Sequence, residues 1–152
     1  MIHVAILKPG YIQAVLAGRK TIESRLTRTK QPPYGKVMPG ERLYLKASGG
    51  PFMATAIAGK VRSFADMSPE DVLKLRKRYG KAIDGDDAYW DMKRDSKYAT
   101  LIELKNTEQI TLGCHLSVVL RAGVQGGRAW RRRGGCQLAW MHQPPVHPTG
   151  AR

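Results

Sequence analysis

The chain has 152 residues, 42% of them apolar, with 26 lysines and arginines against 12 acids and a formal net charge of +14. That length suits one domain that buries a core without metal or disulfide staples. No apolar run approaches the roughly 18 residues of a membrane span, and Met1–Leu7 has neither a basic leader nor enough apolar length for a signal peptide.

Ile2–Leu7 is a short apolar run, expected as a buried first strand, and Lys8-Pro9-Gly10 breaks it. Tyr11, Val15 and Leu16 recur at helical spacing, so Gly10–Ala17 reads as a two-turn helix with Gly18 at its C-cap. Thr21–Leu26 alternates apolar and polar residues as a strand does. Gln31–Gly35 and Met38-Pro39-Gly40 are loops. Arg42–Lys46 alternates again, with Leu43 and Leu45 on one face. Met53–Phe64 reads as a long strand, bent or bulged at Gly59. Ser68 is a helix N-cap with Pro69 in the first helical position and Glu70 and Asp71 at the positive end. Val72, Leu73, Leu75 and Tyr79 form the apolar stripe, and Gly80 closes that helix. Gly85-Asp86-Asp87 precedes a second short helix through Met92. Tyr98–Leu104 reads as a strand ending before Asn106, Leu116–Leu120 as another, and Ala129-Trp130 as the closing element of the sheet. Residues 131–152, with three consecutive arginines and little periodicity, read as a basic, disordered tail. Short strands broken by turns and a few helical turns imply a small α+β domain over residues 1–130, a β-barrel with peripheral helices.

The charge is unevenly spread. Residues 1–62 carry 11 basic and 2 acidic side chains, residues 63–112 carry 9 and 10, and residues 113–152 carry 6 and 0. Cationic flanks around a neutral middle favour a polyanionic partner through phosphate contacts and counterion release. Within the first flank, Gly18, Lys20, Glu23 and Arg25 form the pattern G-x-K-x-x-E-x-R. Glu23 and Arg25 share one face of a strand of period two. Lys20 sits on the preceding turn, and Gly18 lets that turn be sharp. An ammonium, a carboxylate and a guanidinium in one patch suit an anionic ligand with several hydrogen-bonding edges. Arg25 supplies a planar fork, and Glu23 orients Lys20 or accepts from an exocyclic amine. A surface ion-pair cluster has the same spacing.

Leu16–Arg25 resembles the signature of the ASCH domain, a member of the PUA-like superfamily. Further segments are similar in order along the chain: Met38–Leu45 to that family's proline-glycine turn and second strand, Ala56–Val61 to its following strand, Ser96–Leu104 to its late strand, and Gly127–Trp130 to its closing element. The resemblance implies a PUA-like barrel with a cleft that holds Lys20, and binding of RNA or single nucleosides. It also implies that some relatives are enzymes, one branch hydrolysing acetylated cytidine and another cleaving RNA. The amidohydrolase branch resembles G-R-K-T-I-T-x-R here. Glu23 replaces its nucleophilic threonine, and Thr21 is one strand step out of phase.

Other candidates are weaker. Tyr11, Tyr34 and Tyr44 are aromatics near the basic patch that stack on bases, with Tyr44 preferred for its out-of-core phase. Ser96 and Lys97 precede the late strand and reach toward the cleft mouth. Trp90 and Tyr98 read as core or groove wall. His3 reads as structural, and His115, His142 and His147 have no metal spacing. Asp84, Asp86 and Asp87 lack the glutamate of a calcium loop and read as helix caps. Cys114 and Cys136 lack zinc-site spacing and read as free thiols in a reducing compartment. No metal or cofactor is expected, and the expected location is cytoplasmic. Three functions follow: an RNA- or nucleotide-binding module, with DNA as a second polyanion; an enzyme of the ribonuclease or acylcytidine amidohydrolase type, with Lys20 and Glu23 as catalytic groups; and a protein-interaction module using the helix Ser68–Tyr79, for which the sequence identifies no partner.

Overall fold

A computed structural model describes residues 1–112. The elements run β1 (Ile2–Leu7), α1 (Pro9–Leu16), β2 (Ile22–Thr27), β3 (Arg42–Ala47), β4 (Phe52–Phe64), α2 (Pro69–Ile83), α3 (Asp87–Lys93) and β5 (Tyr98–Leu112). The strand expected at Leu116–Leu120, the closing element at Gly127–Trp130, both cysteines, the last three histidines, the domain boundary at 130 and the tail lie outside the described residues.

The five strands form one curled sheet in the order β1-β3-β4-β5-β2. β1 and β3 are parallel, and the other pairs are antiparallel. Period-two alternation gives the sheet two apolar faces. Ala5, Leu7, Leu43, Leu45, Ile102 and Leu104 pack with Ile12 and Val15 of α1 on one face. Ile22, Leu26, Ala99 and Leu101 pack on the other with Val72, Leu75 and Ile83 of α2 and Trp90 of α3. The architecture is a half-barrel with three helices, an α+β fold.

Several elements differ from the sequence reading. α2 does not stop at Gly80 but continues to Ile83, where Asp84 takes the left-handed conformation (φ 56°). A single glycine costs a helix interior about 1 kcal/mol and does not end it while packing continues. Leu73 is exposed, because the buried stripe runs through Val72, Leu75 and Ile83, and Leu73 lies one residue, about 100° of helix, away from Val72. β5 runs through Asn106 to Leu112. Asn106 has φ 47° and lies where the β4–β5 register shifts, since asparagine tolerates this conformation within a bulge. The expected irregularity at Gly59 is present as a register shift between Ala58 and Val61. There the Glu103 carboxylate accepts the Lys60 N–H at 3.0 Å.

β1 and β2 are the two edges of the sheet and do not pair with each other among the described residues. The gap between them is where the polar residues gather.

Candidate nucleotide-binding site

The turn that enters β2 is built by backbone hydrogen bonds. Gly18 has φ +75°. Its N–H donates to the Val15 carbonyl, and the Arg19 N–H donates to the Ala14 carbonyl. These two bonds make a Schellman C-cap, which favours glycine at the left-handed position. The turn delivers Lys20 and Thr21 to the C-terminus of α2, whose last carbonyls have no partner within the helix. The Thr21 N–H donates to the Ala82 carbonyl at 2.8 Å, and Lys20 Nζ donates to the Ile83 carbonyl at 2.7 Å. A cation at the negative end of a helix dipole is favourable there.

Lys20 and Glu23 are each only 4% exposed. Lys20 Nζ lies 3.6 Å from Glu23 Oε2, and Arg25 Nε lies 3.0 Å from Glu23 Oε1. Arg25 Nη2 also donates to the Ile6 carbonyl at 2.6 Å, so one side chain spans the gap between the two edge strands. The Tyr11 ring stands 5.0 Å from Lys20 Nζ, within cation–π range. Burial pulls the Lys20 ammonium below the usual lysine range. Glu23 opposes that shift, and Arg25 adds to it.

These side chains line one cavity of about 250 Å³. Its walls are Ile6 and Leu7 from the end of β1, Lys8 from the β1–α1 junction, Tyr11 from α1, Lys20 from the turn before β2, Glu23 to Thr27 from β2, and Ile83, Tyr89, Met92 and Lys93 from the helical side. Ser24 Oγ and the Tyr89 hydroxyl are 2.7 Å apart, and burial raises the Tyr89 phenol well above its ordinary range. Thr21 O accepts from Leu104 N, so the odd-numbered residues of β2 bond to β5. Ser24 and Leu26 therefore direct their main-chain donors and acceptors to the open edge.

Gly18, Lys20, Glu23 and Arg25 are thus brought to one place, with Gly18 forming the turn and the other three lining the cavity. Tyr44 is not among them. It alternates with the fully buried Leu43 and Leu45, as expected, but the face it occupies is the outer one, where it meets Phe52 edge-on at 6.2 Å. Tyr34 packs against Tyr98, leaving Tyr11 as the tyrosine of the three that lines the cavity. Ser96 is buried in an adjoining recess with Leu26, Thr27, Arg28, Gln31, Met92 and Lys93. Lys97 is exposed, and its backbone ties Thr27 to Met67. Asp86 caps α3 by accepting the Tyr89 N–H at 2.7 Å. His3 binds Glu41. Among the described residues, no group of three or more His, Cys, Asp or Glu side chains is placed to hold a metal ion, and no helix is long and apolar enough to cross a membrane.

No family model matches the sequence, and no curated protein matches it. Solved structures do. The ASCH protein of Zymomonas mobilis is 20% identical, covers 84% of this chain and 84% of its own, and superposes with a TM-score of 0.60. A mutant of the same protein reaches 0.61 over 84% of this chain and 86% of its own. This chain has the ASCH fold. In this ASCH fold the cavity sits between the two edge strands, where Arg25 crosses from β2 to β1.

Sequence reasoning missed Ser24, Tyr89, Met92 and Lys93, and treated Lys8 as part of a breaker. Lys8 precedes a helix whose first turn carries no acid, a signal that an unneutralised cation stands at that helix start.

Proposed function

We propose that this chain binds RNA, or a nucleotide from it, with a base in the cavity between β1 and β2. The observation that carries this reading is the convergence of Lys20, Glu23 and Arg25 on a single small recess. A cavity of about 250 Å³ lies just below the usual range for drug-sized ligands, roughly 300–1,000 Å³, and suits one flat ring. Tyr11 and Met92 supply apolar wall. Glu23 accepts from an exocyclic amine, and the main chain of Ser24 and Leu26 offers a donor–acceptor edge. The cationic flank of residues 1–62 meets the phosphate backbone, and RNA is preferred over duplex DNA because only an unstacked base enters such a recess.

The test is RNA binding by the full chain over a salt series, with Arg25→Gln beside Lys74→Ala. Arg25 lines the cavity, whereas Lys74 is an exposed residue paired to Asp71. Affinity falls steeply with salt. Arg25→Gln weakens binding about tenfold or more, as expected for loss of a charged hydrogen-bonding group. Lys74→Ala changes it less than about twofold. Equal losses at the two positions overturn a localised site.

A second reading, cleavage of RNA or hydrolysis of an acylated nucleoside, draws on the buried Lys20 with its lowered proton affinity and on the Ser24–Tyr89 hydroxyl pair facing the same cavity. Turnover of RNA or acetylcytidine that disappears in Ser24→Ala supports it, and equal turnover in that variant rejects it.

A further inference from the structure

The cations around the cavity divide into two kinds. Lys20 is fully engaged: its ammonium meets the Ile83 carbonyl, Glu23 and the Tyr11 ring. Arg25 is held by Glu23 and Ile6. Lys8 and Lys93 also line the cavity, Lys8 exposed and Lys93 half-buried, and neither meets a carboxylate among the described residues. Glu23 is the single acid in the lining against four cations. Its charge is shared between Lys20 and Arg25, although each oxygen keeps a lone pair for a further donor. Asp84 and Asp86 act on Lys20 and Tyr11 from outside the lining, but neither meets Lys8 or Lys93, so the lining itself carries an excess of positive charge.

We infer that Lys8 and Lys93, together with Arg25, form a phosphate site at the mouth of this cavity, so that the ligand is a phosphorylated nucleotide rather than a free nucleoside. This rests on the reading that the cavity takes a piece of RNA. Two flexible ammonium groups in one lining, one from the β1–α1 junction and one from the end of α3, suit a compact multiply charged anion. Lys20 then does not grip the anion. It is a positioning residue that fixes Glu23 and closes the end of α2. Burial, and then Arg25, hold the Lys93 ammonium below the usual lysine range, and a bound dianion reverses that pressure.

The experiment has two arms, both on the full chain. In the first, calorimetry compares the four ribonucleoside 5′-monophosphates with their nucleosides. The monophosphates bind about tenfold more tightly or better. Lys8→Gln and Lys93→Gln each reduce that preference about threefold, and the double variant removes it. A preference that survives in the double variant overturns the inference. In the second arm, the lysine 13Cε resonances are titrated with pH with and without inorganic phosphate, Lys93 being assigned by its loss in Lys93→Gln. Phosphate raises the proton affinity of Lys93 about tenfold; no change overturns the phosphate site whatever the nucleosides do. If phosphate acts on Lys93 but neither nucleotides nor RNA bind more tightly than phosphate alone, the phosphate site stands and the proposed function falls. If nucleosides and nucleotides bind equally and phosphate leaves Lys93 unmoved, the phosphate site falls and the base cavity stands.

Discussion

β1 has a carboxylate cluster at each end. Near its start, Glu41 is bound by the Met1 amine at 3.1 Å and by His3 Nε2 at 2.7 Å. It also accepts the Met38 N–H at 2.8 Å. Near its finish, across the gap to β2, Glu23 is bound by Lys20 and Arg25. Each glutamate meets two basic groups, but their surroundings differ. Around Glu41 the hydrogen bonds close on themselves. Around Glu23 a cavity opens, with two further lysines that have no acid to meet. The first arrangement fastens the strand. The second leaves positive charge unbalanced beside an open space, which is the condition for holding an anion rather than for holding the fold.

The largest expected effect breaks the Glu23 cluster. Lys20→Met removes the donor to Ile83 and leaves Glu23, with its side chain 5% exposed, balanced by Arg25 alone. Removing one partner of a buried ion pair costs about 3–5 kcal/mol, and Arg25 places this case near the lower end, at about 3 kcal/mol. Urea unfolding at pH 7 measures it. Adding Glu23→Gln to Lys20→Met restores part of the loss, because the buried carboxylate that has lost one of its two cations is then gone, while Arg25, 30% exposed, keeps solvent and the Ile6 carbonyl. A double variant as unstable as the single one shows that the Lys20–Ile83 bond, not the charge, governs that corner.

The Glu41 cluster supplies the contrasting pH dependence. Burial alone would raise this carboxyl. The Met38 N–H, His3 and the N-terminal amine outweigh it and hold the value at about 2, against an ordinary 4.5. A depressed carboxylate stabilises the fold above its unfolded value, and that contribution is lost as pH falls from about 4.5 toward 2. Glu41→Gln is therefore about 2 kcal/mol less stable than the parent at pH 7. The two converge as pH drops through that window, with stability read from urea midpoints at each pH. A difference that stays constant down to pH 2 assigns the loss to packing instead of charge.

The contrast also marks what a linear reading reaches. Strand alternation placed Glu23 and Arg25 on one face, and the Gly18 turn was legible because a left-handed C-cap favours a residue without Cβ. The succession of strands along the chain and the two helices beyond residue 68 followed from caps and periodicity, whereas the order of the strands within the sheet did not. What stayed hidden was whatever depends on residues far apart in sequence meeting. Lys20 and Ile83 are 63 positions apart, and Ser24 and Tyr89 are 65 apart. Nothing local shows that α2 ends against the turn before β2, or that α3 carries Tyr89 and Lys93 to the open edge. Tyr44 was assigned the correct phase, but phase says only that a side chain leaves the core, not which surface it reaches. Asn106 and Gly80 read as stops because punctuation residues are ambiguous. Each is carried through by long pairing or packing on either side.

The smallest expected effect has the opposite sign and sharpens the comparison most. Lys93 is half-buried and faces Arg25, and both burial and that guanidinium disfavour its charge. Its proton affinity is lower in the fold than in the unfolded chain, so the charged form opposes folding, and stability gains as pH rises through its folded value. Lys93→Gln removes the charge and keeps most of the stem. The variant is more stable than the parent by about 0.5 kcal/mol at pH 7 and low salt, and high salt shrinks the gain by screening. Thermal midpoints at two ionic strengths measure it. The same substitution at a lysine that contributes to the fold destabilises. Lys93→Gln that loses stability therefore places Lys93 with the Glu41 type of cluster, whereas a gain in stability together with weaker phosphate binding identifies a charge kept against the interest of the fold, for a ligand.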